Sequence, residues 1–101
     1  MTEKNKAHYA LGDIKACVAA QGIGAFTRIA QTGVADMDLS PDEAVQVVLS
    51  LERSMLYKSM TTHADHRVWQ DVYHAPCPNG KTAYIKVTFR DGTVVIQFKE
   101  K

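Results

Sequence analysis

The spacing of hydrophobic positions changes once along the chain. Up to Met55 they recur at helical intervals, and beyond it they alternate. Leu11, Ile14, Cys17 and Val18 mark one helix face, and Gly22 is a natural stop. Phe26, Ile29, Ala30, Val34 and Met37 carry the period through a second helix. Gly33 weakens it, since glycine inside a helix costs about 1 kcal/mol relative to alanine. The third helix is the best signalled. Ser40 can cap it, Pro41 suits its first position, and Glu43 completes a capping box. Ala44, Val45, Val48, Leu51 and Met55 then form one apolar stripe, which reads as core.

In the second half, Ala83, Ile85, Val87 and Phe89 alternate with Tyr84, Lys86, Thr88 and Arg90. Asp91-Gly92 is a strong hairpin turn. The chain returns with Val94, Ile96 and Phe98 on one side and Val95, Gln97 and Lys99 on the other. Helices followed by an antiparallel meander predict an α+β fold, with N-terminal helices packed on one face of a C-terminal sheet. The opposite face is left open, polar and basic. Such a face is either merely solvated or suited to RNA, because cations hold phosphates and aromatic rings stack on bases.

The run YKSMTTHADHRVWQDVY, residues 57–73, reads as a further hairpin of ambiguous register. A four-residue loop places Lys58 opposite Asp71 and Gln70 on the other face. A three- or five-residue loop, or a bulge, places Lys58 and Gln70 together. Trp69 and Tyr73 share a face and are expected beneath the helices.

The length of 101 residues suits one domain, 1–101. The net charge of +1 argues against a non-specific nucleic-acid coat, but its distribution is uneven. Residues 1–53 hold five basic and seven acidic side chains, and residues 54–101 hold seven and four. An anionic partner should therefore meet the second half. No apolar run reaches the ~20 residues of a membrane span, and the N-terminus has no apolar signal region, which predicts a cytoplasmic protein. Two cysteines make no disulfide framework. Cys17 reads as a small buried thiol and Cys77 as a loop thiol. His63, Asp65, His66, His74 and Cys77 are possible ligands in one stretch, but without the spacing of a metal site; no metal or cofactor is expected. No Walker loop, dinucleotide fingerprint or nucleophile elbow is present.

The run Tyr57-Lys58-Ser59-Met60-Thr61-Thr62, then Asp65-His66, then Trp69-Gln70-Asp71-Val72-Tyr73, resembles the motility quorum-sensing regulator family of toxins. Tyr84-Ile85-Lys86 and the tail Phe98-Lys99-Glu100-Lys101 extend the resemblance, while His63 and the Pro-Cys-Pro of the 75–81 loop depart from it. The resemblance implies a RelE-like fold and a metal-independent endoribonuclease that cuts mRNA at GCU-type sites. It also implies a cognate antitoxin with zinc-binding and DNA-binding domains, through which alone the toxin would reach operator DNA. Catalytic roles would fall on Lys58, Gln70 and Tyr84, with Lys99 as a further basic contributor. Lys86, Arg90 and Gln97 are expected to bind RNA.

Those side chains suit attack of a ribose 2′-OH on the adjacent phosphate. Lys58 and Lys99 would stabilise phosphoryl charge, Tyr84 would hydrogen-bond a phosphate oxygen or assist proton transfer, and Gln70 would orient the scissile group. The contrasting expectation is a non-catalytic module binding RNA or a protein on the same face. For an antitoxin, pairing with an exposed strand edge is one physical route.

Overall fold

A computed structural model describes residues 2–101. The strands are β1 (Glu3–Lys4), β2 (Leu56–Thr61), β3 (Trp69–Pro76), β4 (Thr82–Arg90) and β5 (Thr93–Glu100). They form one antiparallel sheet in sequence order, β1-β2-β3-β4-β5. The helices are α1 (Leu11–Gln21), α2 (Arg28–Asp36) and α3 (Pro41–Leu49). The expected α+β architecture is therefore observed, with one addition. The short N-terminal strand β1 pairs with β2, and no period in so short a run signals it.

Local chemistry sets the helix ends. Gly22 closes α1 at φ 59°, a left-handed conformation that favours glycine, and its N–H donates to the Val18 carbonyl. At α3 the capping box is complete: the Ser40 N–H donates to Glu43 Oε1 at 2.8 Å and the Glu43 N–H to Ser40 Oγ at 3.1 Å. α2 starts at Thr27, whose hydroxyl accepts the Ala30 N–H at 3.0 Å.

The core lies between the helices and one sheet face. Ile14, Val18, Val34, Ala44 and Val48 meet Tyr73, Ile85, Val87, Ile96 and Phe98, all buried. Burial of each larger apolar side chain contributes about 1.5–3 kcal/mol. Two expected core positions differ, and one loop residue is more buried than expected. Ile29 is 84% exposed, on the first turn of α2. Cys17 is only half-buried, whereas Cys77 is buried and its loop is tied to the end of α2 by Asn79, whose amide donates to the Met37 carbonyl at 2.7 Å.

Helix α2 runs against β5, and Phe26 forms a parallel bridge with Ile96 just before it. The Thr27 N–H donates to the Ile96 carbonyl at 3.0 Å, so the β5 edge is partly covered at its middle. Gly33 gains a reason here. A Cβ at this position would sit inside the Phe98 carbonyl oxygen, so glycine permits the close approach of α2 to the strand.

Candidate functional site

The 57–73 hairpin takes the five-residue alternative. The Thr62 N–H donates to the Val68 carbonyl at 3.0 Å, leaving His63–Arg67 as the loop. Thr61 pairs with Trp69, Met60 with Gln70, Ser59 with Asp71 and Lys58 with Val72. Cross-strand partners share a face, so Lys58 and Gln70 both project from the open side. A register shift between Leu56 and Lys58 adds Tyr57 to that side, where its ring stacks on His74 at 4.5 Å between centroids.

Across the open face, Lys58, Val72, Lys86 and Gln97 form one rung, and His74, Tyr84 and Lys99 form the next. All four expected catalytic residues, Lys58, Gln70, Tyr84 and Lys99, thus occupy one surface. Lys86 and Gln97 join them. Arg90 does not join the group around Tyr84: it lies at the β4–β5 turn, four residues from Lys86, or roughly 13 Å at ~3.3 Å per residue. The face is also less polar than alternation suggests. Val72 is fully buried on this side and Met60 nearly so, with Val72 between Lys58 and Lys86 on its rung. Long lysine stems cover apolar surface in this way while keeping their charges in water.

The electrostatics favour an anion. Lys99 Nζ lies 5.3 Å and Lys86 Nζ 5.9 Å from the Tyr84 ring centroid. Burial, and then the charges of Lys99 and Lys58, push the Lys86 ammonium below its ordinary range. Lys58 shifts the other way, because it donates to Glu3 Oε2 at 3.1 Å. Glu3 is a feature that period and motif both missed: β1 places a carboxylate at the rim of a basic surface. His74 is another. Its ring lies between Tyr57 and Tyr84, at 4.5 and 5.4 Å, and its Nε2 is sealed without a partner. Burial, with Lys101 adding to it, lowers its pKa and favours the neutral ring.

The opposite face of the same hairpin is structural. Asp71 is fully buried and accepts the His8 and Tyr9 N–H groups, each at 2.9 Å, and the Ser59 hydroxyl at 2.6 Å. Tyr73 packs in the core as expected. Trp69 does not lie beneath the helices. The N-terminal segment covers it instead: His8 stacks on it at 5.2 Å, Lys4 Nζ sits 4.1 Å from its centroid, and the Tyr9 hydroxyl donates to its carbonyl. His63 and His66 are exposed at the loop tip, where Asp65 is engaged by Arg67 at 3.1 Å. Among the described residues, no three His, Cys, Asp or Glu side chains converge as metal ligands. No helix among them is long and apolar enough to cross a membrane.

Fold and surface together define a small α+β protein whose sheet buries one face under helices and presents lysines, tyrosines and amides on the other. A family model described as "Motility quorum-sensing regulator, toxin of MqsA" matches residues 6–100. The mRNA interferase toxin MqsR of Escherichia coli (strain K12) is 37% identical over 99 residues, covering 98% of this chain and 99% of that protein. The chain belongs to the motility quorum-sensing regulator toxin family.

Proposed function

We propose that this protein is the toxin of a toxin–antitoxin pair, an endoribonuclease that cuts mRNA at GCU-type sites without a metal ion. The observation that carries the reading is the gathering of Lys58, Gln70, Tyr84 and Lys99 on one open face, with Lys86 between them. Lysines there supply fixed positive charge where a pentacoordinate phosphate accumulates negative charge. In this reading Lys58 and Lys99 bind the phosphoryl oxygens, Tyr84 donates to one of them, and Gln70 orients the scissile group. The 2′-OH gives up its proton to water as its oxygen attacks phosphorus, the bond to the 5′-oxygen breaks, that oxygen takes up a proton and leaves as a 5′-hydroxyl, and a 2′,3′-cyclic phosphate remains. A cognate antitoxin with zinc-binding and DNA-binding domains neutralises the enzyme, and operator DNA is met only through that complex.

Glu3 has a definite place in this scheme. It occupies the Lys58 ammonium in the free protein, and the RNA phosphate replaces it on binding. The test is direct. Purified, antitoxin-free protein should cut RNA in the presence of EDTA, leaving cyclic phosphate ends. Lys58→Ala, Gln70→Ala and Tyr84→Phe should each slow cleavage by roughly 10²-fold with unchanged thermal stability. Intact RNA after incubation with folded protein would leave only the non-catalytic RNA-binding module on the same face.

A further inference from the structure

Tyr84 stands between two hollows of different chemistry. On one side a groove of about 330 Å³ runs between β4–β5 and the start of α2, lined by Thr27, Ile29, Lys86, Gln97 and Lys99. That volume is at the lower end of small-ligand pockets, roughly 300–1,000 Å³, and so exceeds what an ion or water needs. Its wall includes Ile29, the most exposed large hydrophobic side chain among those described. Beside the charges of the groove it offers an apolar surface on which a flat ring can rest. Gln97 adds an amide with both donors and an acceptor, and Lys86 and Lys99 add charge at the mouth.

On the other side, Tyr57, His74, Tyr84 and Lys101 line a shallower hollow. The Tyr57 ring lies nearly parallel to His74, 21° apart, and remains 55% exposed. His74 has no acceptor for an N–H at Nε2, so it serves as a flat neutral support rather than as a phosphate-binding cation. This shelf offers a π-face and little hydrogen-bonding pattern.

We propose that these hollows are nucleobase subsites on either side of the scissile phosphate: the groove under α2 reads one base through Gln97 and Ile29, and the Tyr57–His74 shelf stacks its neighbour. The inference rests on the endoribonuclease reading and deepens it. The strand would cross Tyr84 from one hollow to the other, with its phosphate among Lys58, Lys86 and Lys99. Aromatic stacking is sequence-tolerant, because every base has a π-face. An amide discriminates, because it leaves the wrong base edge unpaired. Selectivity is thereby assigned to the helix side of the site and affinity to the hairpin side.

The experiment is cleavage of a mixed-sequence RNA pool with sequencing of the new ends, paired with binding of a non-cleavable 2′-O-methyl oligonucleotide. Gln97→Ala and Ile29→Ala should relax the base preference at one position beside the cut by about 10-fold or more. Tyr57→Ala should weaken oligonucleotide binding by roughly 10-fold across sequences and leave the preference unchanged. Thermal melting checks the fold of each variant; Ile29, Gln97 and Tyr57 are all exposed. Wild-type protein that cuts RNA, with variants that keep both its preference and its affinity, overturns the subsites alone. Wild-type protein that cuts no RNA overturns the functional reading and the subsites with it.

Discussion

Gln70 and Asp71 are chain neighbours on β3, yet they belong to opposite faces of one sheet and to opposite kinds of chemistry. Gln70 projects into the lysine-rich face. Asp71 is fully buried and gathers two backbone N–H groups and a hydroxyl, pinning the N-terminal segment to the hairpin. The pleat makes this division: successive side chains point apart, so one strand serves stability and function at alternate residues. At this pair, stability should therefore respond to Asp71 and activity to Gln70.

The largest expected effect breaks the structural side. Asp71→Ala leaves two amides and the Ser59 hydroxyl without their acceptor in a buried site, which should cost about 3 kcal/mol or more by chemical denaturation. Gln70→Ala, one residue away, should change stability by no more than about 0.5 kcal/mol. Its cleavage rate should still fall by roughly 10²-fold. Equal stability losses for the two variants would end the comparison.

Gly33→Ala is a sharper test of packing. Helix propensity alone predicts a gain of about 1 kcal/mol. The approach to the Phe98 carbonyl predicts instead a loss of about 1–3 kcal/mol, since backbone at that contact has to move. A rise in melting temperature would show that α2 does not sit so close to β5.

On the open face, Glu3→Gln removes the carboxylate charge that holds Lys58. Affinity for a non-cleavable RNA should rise a few-fold, and the salt dependence should steepen as Lys58 becomes free to meet phosphate. Unchanged or weaker binding would mean that Glu3 orders the site rather than competing for it. An ion pair this open to solvent contributes little to folding, so the melting temperature should barely change.

The smallest effect concerns pH. His8 and His74 both have folded-state pKa values below the ordinary one, in each case chiefly through burial. Between the folded and unfolded values the unfolded chain binds more protons. Their contribution is therefore complete above about pH 6.5 and is lost as pH falls through the folded values. Thermal midpoints measured from about pH 7.5 to about pH 5 should decline, and His74→Gln should reduce that decline. A midpoint independent of pH in this window would contradict the sealed position of His74 Nε2.

Much of this division was already legible in the linear order of residues. Alternation from Thr82 to Lys99 assigned both faces of β4 and β5, because a strand side chain can point only one way or the other. The Ser40–Glu43 capping box and the Asp91-Gly92 turn were equally local, and both formed. Motif resemblance singled out Lys58, Gln70, Tyr84 and Lys99, since each lies in a short contiguous run that can be read without the fold. The interior of the 57–73 hairpin was different: two registers satisfied the same alternation.

Local sequence, then, determined the helices, the β4–β5 hairpin and the side-chain types available for chemistry, because period, caps and turns act within a few residues. Tertiary structure decided which of those side chains meet. Loop length and the shift at Tyr57 brought Lys58 to the face of Gln70, and pairing of β1 with β2 brought Glu3 to Lys58 across 55 positions. Docking of α2 on β5 turned Ile29 from an expected core residue into the wall of a groove. Each of these depends on how strands and helices pack at long range, which residue spacing along one element cannot specify.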